Sequence, residues 1–301
     1  MFSSFILSLL SFFIFSTNLW SQLDFLGPNF GEVNNISQSE YFSQLKNNIS
    51  DPQISASSFA VLDLNSNNFV LEKGADNIWP IASISKLMSA MVLLEDLNID
   101  LDDTYKFKNE DRRIGGRDNL FLGDEVSNYD MLALSLIASD NTAISALISS
   151  AGVDEEYFVD LMNERSRLLR LNNTFFDDPT GLSSKNVSTA REASFLIKEA
   201  LDIEVIAELV GKKDYEFSTK QGRIRSVTST NELLYTNGNS DIKIIGGKTG
   251  YIESSGYCLG TKFLFNNNQE FISVILNAST LKNRFTDTSK IFESLHNFYN
   301  N

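Results

Sequence analysis

The sequence predicts a mixed α/β fold of the α+β kind: an antiparallel five-stranded sheet flanked by helices, with a helical subdomain inserted in it. Three observations carry that expectation. Two strand-like runs, "FAVLDL" and "NFVLEK", flank the polar turn Asn65-Ser66-Asn67 and read as a hairpin. Helical spacing then dominates from about residue 87 to 215. Three further strand-like runs follow, "IKIIGGKTG", "GYCLGTKFLF" and "EFISVILNA", before a closing amphipathic helix. Strands joined by hairpins pair antiparallel, and the terminal helices are expected to cover the sheet.

The elements follow in chain order. The opening "MFSSFILSLLSFFIFSTNLW" has an apolar stretch from Phe5 to Phe15, the length of a secretory signal core. It falls short of the ~20 apolar residues that a membrane span needs. No Lys or Arg precedes it, and Ser16 or Ser21 supplies the small residue for cleavage. The expectation is a signal peptide over 1–21 and an exported protein, in the periplasm or on the outside of the cell envelope, membrane-anchored if the signal stays uncleaved. A buried amphiphilic terminus is the alternative. Residues 22–52 are rich in Asn and Ser and read as a linker, with a short helix at Tyr41 to Asn47. The folded region is expected over 53–301. Within it, "YDMLALSLIAS", "EEYFVDLMNERSRLLRL" and "ASFLIKEALD" carry helical spacing, "DDPTGL" at 177–182 is a turn, and Asn266-Asn267-Asn268 makes the last hairpin turn. "DTSKIFESLHNFY" is the closing helix.

Composition narrows the chemistry. The 301 residues carry a formal net charge of −14 and show no basic patch, which argues against nucleic acid as a partner. One cysteine, Cys258, and one histidine, His296, leave no disulfide within the chain and no Cys/His zinc cluster. A Ser-His-Asp triad would need His296, near the end of the chain. Cys258 sits in a strand run and reads as core. No metal and no cofactor is expected.

"PIASISKLMSA" places one basic residue, Lys86, in a helix whose broad apolar stripe predicts burial. Ser83 can open that helix as its N-cap. A lysine in the first turn opposes the helix dipole, and its buried charge is costly unless paired. Three residues apart, Ser83 and Lys86 share one helical face. A serine hydroxyl is a poor nucleophile until a base takes its proton, and a lysine made neutral by burial or by a nearby cation is such a base. The backbone N–H of Ser83, at a helix start, can hold a developing oxyanion. Alone, S-x-x-K is equally an N-cap beside a surface lysine. Two more stretches change the balance: "SDN" at 139–141 and "KTG" at 248–250. Ser139 lies 56 residues after Ser83, and Lys248 another 109 residues on. In that order, the trio is the signature of penicillin-binding proteins and class A β-lactamases.

The sequence resembles the low-molecular-mass penicillin-binding proteins, the D-alanyl-D-alanine carboxypeptidase and endopeptidase family of serine peptidases. "PIASISKLMSAMV", "MNERSRLLRLNNTFFDDPTGLSSKNVSTA" and "GGKTGYIESSGYCL" carry the likeness, over roughly residues 50 to 300. It implies a β-lactamase/transpeptidase-like fold and a penicillin-binding D,D-peptidase domain over 53–301. The partners implied are peptidoglycan peptides, with β-lactams as covalent inhibitors. It implies Ser83 as the acylated nucleophile, Lys86 as its base and Ser139 as a proton relay toward the leaving amine. Asn141 would bond the substrate backbone. Lys248 would hold the terminal carboxylate or support the proton network, Thr249 would add a hydroxyl to that carboxylate, and Gly250 would let substrate lie along the strand. The backbone N–H of Tyr251 would complete the oxyanion hole. Lys248 near Lys86 would favour a neutral Lys86.

A β-lactamase is the first alternative function. The E-x-x-L-N pattern that supplies its deacylating base is absent, because Leu168 stands where the glutamate should precede Leu171-Asn172. A non-catalytic wall-binding or sensor protein is the second, opposed by the intact Ser83, Lys86, Ser139 and Lys248. The text around "DDPTGLSSKNVSTA", with no sign of a second β-rich domain or a C-terminal membrane helix, looks more like the endopeptidase branch, whose members cut D-alanyl cross-links between wall peptides.

Overall fold

The computed structural model describes residues 52–115, 119–236, 241–265 and 268–299. The expected signal peptide, the linker up to residue 51 and its short helix lie outside the described residues, as do Asn266 and Asn267 of the last hairpin turn.

The chain opens with β1 (Ser58–Asp63) and β2 (Asn68–Lys73), paired antiparallel through the expected hairpin. Asp63 ties that turn by accepting from the backbone N–H of Asn65 and the hydroxyl of Ser66. A two-residue β3 (Trp79–Pro80) leads into a 3-10 turn at Ala82–Ile84 and then α1 (Ser85–Met91). A π-helical turn, Val92–Asp96, continues it. Next come β4 (Thr104–Lys106), β5 (Glu125–Ser127), α2 (Asn128–Ile137), α3 (Asn141–Ser150) and α4 (Glu155–Leu168). Ser127, Asp140 and Asp154 cap α2, α3 and α4 by accepting from backbone N–H groups three residues on, the local reason each helix starts where it does. Then β6 (Val187–Ser188) pairs with β3, and α5 (Ala190–Leu201) and α6 (Glu204–Gly211) follow.

A hairpin that the sequence reading does not separate comes next, β7 (Asp214–Ser218) with β8 (Ile224–Thr228). Each of its strands buries a single residue, Phe217 or Val227, so its apolar signal is thin. A single helical turn, α7 (Leu233–Thr236), precedes β9 (Ile242–Ile252), β10 (Gly256–Phe265) and β11 (Glu270–Ala278). The chain closes with α8 (Leu281–Tyr299). None of the helices among the described residues is long and apolar enough to cross a membrane.

The five-stranded sheet runs β2-β1-β11-β10-β9, antiparallel throughout, as expected. Every residue of β1 is buried, because helices cover both faces of the sheet at that strand. Alternate residues serve the two faces. Ala60, Leu62, Ile272 and Val274 pack with the α1, α2, α3 and α5 side. Phe59, Val61, Phe263 and Phe271 pack with Phe285, Ile291, Phe292 and Leu295 of α8. Phe263 meets Phe271 and Phe292 at ring separations of 5.3 and 4.1 Å. Each such buried ring contributes about 1.5–3 kcal/mol. Two cores thus clamp the sheet and fix β9 as its outer edge, the edge that meets the 3-10 turn.

Candidate active site

From Ile81 to Leu93 every residue is buried except Ser83. Ser83 does not cap α1 as expected: it lies within the 3-10 turn, and the cap position falls to Ile84, which has no capping side chain. The turn is bent by Ala82, held at φ +47°, a left-handed conformation that costs an alanine about 1 kcal/mol or more. Its effect is to lift the Ser83 hydroxyl out of the buried run.

Lys86 is fully buried, as its helix predicts. Its Nζ lies 2.9 Å from Ser83 Oγ and donates to Asn141 Oδ1 and to the Thr180 carbonyl, both at 2.6 Å. Its pKa is pushed down to about 7. Burial is the main cause, opposed by the negative fields of Asp178 and Asp140. The second lysine is therefore not the leading reason for a neutral Lys86. Like-charge repulsion falls instead on Lys248, whose pKa is pushed well down by burial, then by Lys86 and by Arg284.

Ser139 joins α2 to α3 with φ +61°, a second strained non-glycine residue. It accepts from Lys248 Nζ at 2.7 Å, which brings together two motif residues 109 apart in the sequence. Lys248 is buried on β9 and donates also to the Thr249 carbonyl at 3.2 Å. Thr249 Oγ1 lies 2.7 Å from Thr230 Oγ1. Asn141 donates to the Gly115 carbonyl at 2.8 Å as well as accepting from Lys86, which leaves one N–H of its amide for a ligand. Gly250 is required where it stands. A Cβ there would lie 3.0 Å from the Ser83 nitrogen and 2.8 Å from the Ile81 carbonyl, so only glycine lets β9 come this close to the turn. Tyr251 follows it, half exposed, its ring stacked on Tyr257 at 4.3 Å. Cys258 is buried, with its thiol pushed up to about 11 by burial.

Sequence reasoning misses Arg284. It is buried in the first turn of α8, with Nη1 donating to the Gly250 carbonyl at 3.3 Å and its guanidinium 5.7 Å from the Tyr257 ring. Its Nε has no hydrogen-bond partner among the described residues. A signal was there: Arg284, Thr288, Ile291 and Leu295 share the buried stripe of one helix. A charge on such a stripe is the same anomaly that singles out Lys86.

Among the described residues no group of His, Cys, Asp and Glu could hold a metal ion. The fold and the serine–lysine pair define a class, serine enzymes that work by acyl transfer without histidine. Within it, the chain belongs to the D-alanyl-D-alanine carboxypeptidase family, whose model matches residues 45–280. It is 33% identical over 250 residues to a D-alanyl-D-alanine endopeptidase of Escherichia coli K12, covering 80% of this chain and 77% of that one. It is 29% identical to the D-alanyl-D-alanine carboxypeptidase DacF of Bacillus subtilis, covering 79% and 61%. The DD-transpeptidase of Streptomyces K15 superposes with a TM-score of 0.75 at 25% identity, over 82% of this chain and 98% of that one. Penicillin-binding protein D2 of Listeria monocytogenes, solved with cefotaxime bound, superposes at 0.69 with 27% identity, over 80% and 97%. The β-lactamase/transpeptidase-like fold and the serine D,D-peptidase class expected from the sequence both hold.

Proposed function

We propose that this enzyme cleaves D-alanyl bonds of peptidoglycan peptides through an acyl-enzyme on Ser83, and that cross-linked peptides are among its substrates. The observation that carries the chemistry is the 2.9 Å approach of Ser83 Oγ to the Lys86 amine, itself held near neutrality by burial. In this reading Lys86 takes the Ser83 proton as Oγ attacks the carbonyl carbon. The backbone N–H groups of Ser83 and Tyr251 receive the oxyanion. When the C–N bond breaks, the proton that Lys86 took from Ser83 passes to the leaving amine by way of the Ser139 hydroxyl, which Lys248 Nζ holds in place. Water then attacks the ester and frees Ser83. Asn141 aligns the peptide backbone, and Gly250 lets it lie along the open edge of β9. Lys248, Thr249 and Arg284 supply the terminal carboxylate's partners. Arg284 brings a buried cation whose Nε has no partner among the described residues.

A β-lactam presents the same acyl carbon and carboxylate, so it is expected to acylate Ser83 and stay. Leu168, where a class A β-lactamase has its deacylating glutamate, is an exposed apolar residue at the end of α4. The cefotaxime-bound Listeria relative supports this sensitivity. The identity with the Escherichia coli endopeptidase supports the cross-linked substrate. Peptidoglycan lies outside the cytoplasmic membrane, so export to the periplasm or envelope exterior goes with the reading.

The test is digestion of a cross-linked muropeptide dimer alongside a free pentapeptide, with Ser83→Ala as control. The wild type should split the dimer at least as well as it releases terminal D-alanine, and Ser83→Ala should do neither and take up no labelled penicillin. A hundredfold preference for the pentapeptide would remove the endopeptidase reading. Labelling of Ser83→Ala at the wild-type rate would remove the nucleophile.

A further inference from the structure

The turn "DDPTGL" supplies no reacting group to the mechanism above, yet the Asp178 carboxylate ties it at Thr180, Gly181, Leu182 and Ser183. We propose that Asp178 is a positioning residue for Lys86, its carboxylate holding the 178–183 turn so that the Thr180 carbonyl aims the lysine amine at Ser83. The proposal rests on Lys86 being the base for Ser83.

A neutral lysine amine has two N–H donors and one lone pair. Three oxygens surround Lys86 Nζ: Asn141 Oδ1, the Thr180 carbonyl and Ser83 Oγ. The first two can only accept, so they take the two N–H groups and leave the lone pair toward Ser83, the one neighbour with a proton to give. Without the Thr180 carbonyl one N–H is free to turn toward Ser83, and the base is misaimed.

The carbonyl is held by design of the turn. Asp178 Oδ1 accepts from Thr180 N at 2.6 Å, Thr180 Oγ1 at 2.5 Å and Gly181 N at 2.9 Å, while Oδ2 accepts from Ser183 N at 2.6 Å. The turn is also clamped to α1 on either side of Lys86. Asn186 Nδ2 donates to the Asp178 carbonyl and to Ser85 Oγ, and Ser89 Oγ donates to the Pro179 carbonyl at 2.6 Å. Gly181, at φ +86°, packs so closely that a Cβ would lie 2.0 Å from the Ala82 carbonyl. One carboxylate thus orders the turn that touches both the base and the strained residue before the nucleophile.

Asp178 acts by charge as well. The charged groups facing Lys86 are Asp178 on this turn, Asp140 before α3 and Lys248 on β9. Asp178 and Asp140 favour the lysine's proton; removing Asp178's charge makes Lys86 a weaker proton holder. The acid limb of the acylation rate, where Lys86 gains its proton and stops acting, then moves to lower pH.

The experiment is the second-order rate of acylation by a chromogenic cephalosporin against pH, for wild type and three variants, each checked by thermal melting. Asp178→Asn should lower the plateau by about 10- to 100-fold, as for misplaced catalytic groups. It should also move the acid limb down by about 0.5 pH unit or more, the size of effect a nearby partly screened charge produces. Thr180→Val keeps the charge and loosens the same carbonyl: the plateau should fall and the limb stay. Asp177→Asn removes an adjacent exposed carboxylate, bonded to Ser183 Oγ and Lys185, and should change neither. An unmoved limb in folded Asp178→Asn, or an equal shift in Asp177→Asn, overturns the proposal. Should Asp178→Asn not fold, a wild-type plateau in Thr180→Val overturns it and a lowered one supports it. If wild type shows no acid limb near neutrality, the base assignment itself is what fails.

Discussion

Two walls meet at Ser83, and they are charged in opposite ways. The helix wall holds Lys86, enclosed by the Asn141 and Thr180 carbonyl oxygens and within the fields of Asp140 and Asp178. The strand wall holds Lys248, whose pKa is lowered by burial and by two cations, Lys86 and Arg284. Burial depresses both lysines. Their neighbours then separate them: carboxylates return part of the proton affinity on the helix side, and cations remove more of it on the strand side. The helix wall is complete without a ligand. The strand wall carries the Arg284 guanidinium, whose Nε has no partner among the described residues, beside a lysine whose proton affinity is depressed, and an anion would complete it and restore the Lys248 proton. In the proposed mechanism Lys86 exchanges a proton near neutral pH, and Lys248 gains one as the substrate carboxylate binds.

The largest break in this comparison comes from Lys86→Arg. The charge is kept, but a guanidinium does not yield its proton at accessible pH. Acylation by penicillin should fall by about 10²-fold or more, the low end for loss of a general base. Normal acylation by the arginine variant would reduce Lys86 to a structural cation and make the two walls alike.

On the strand side the matching change is Arg284→Leu. Hydrogen bonds to charged groups contribute about 1.5–3 kcal/mol. Loss of Arg284 should therefore lower kcat/KM for a peptide ending in free D-alanyl-D-alanine by roughly 10- to 100-fold. The same peptide with an amidated terminus should hardly notice, since it brings no anion. Equal losses on both peptides would mean that Arg284 only supports β9 through the Gly250 carbonyl.

The residues differ in how far the sequence exposes them. Ser83, Ser139 and Lys248 are legible because the chemistry fixes their types in short motifs at a fixed order, and the five strands of the sheet because their apolar runs are bounded by turns. Arg284 belongs to no motif. Its only mark is a charge on a buried helical stripe, legible once periodicity is asked of every charged residue. The β7–β8 hairpin is hidden for a different reason, since each strand buries one side chain. The role proposed for Asp178 could not be read at all: it rests on five hydrogen donors within its own turn and on Asn186 and Ser89 beyond, and only three-dimensional closure places the Thr180 carbonyl 2.6 Å from a lysine 94 residues away. Spacing identifies the groups proposed to react, while the groups proposed to aim them depend on backbone direction, which a one-dimensional pattern does not carry.

The smallest effect is a matter of slope, and it separates the lysines by stability instead of rate. A lysine in the unfolded chain titrates near 10.5, whereas folded Lys86 titrates at about 7. Above the unfolded value neither state holds the proton, and burial exacts no electrostatic cost. As pH falls from 10.5 toward 7 the unfolded lysine takes a proton that the folded one does not, so the unfolded state is favoured progressively. Below 7 both states hold the proton, and the cost is complete and constant. The wild type should therefore gain on Lys86→Met by about 1.4 kcal/mol per pH unit between pH 7.5 and 9.5. Other titrating groups are common to both proteins and cancel in the difference. Lys248 cancels too, because in this window folded Lys86 is already neutral and repels nothing. The measurement is urea unfolding of the two proteins at several pH values. Parallel stability curves would mean that folded Lys86 keeps its proton up to the ordinary lysine range, and the helix wall would then need another way to free Ser83's oxygen.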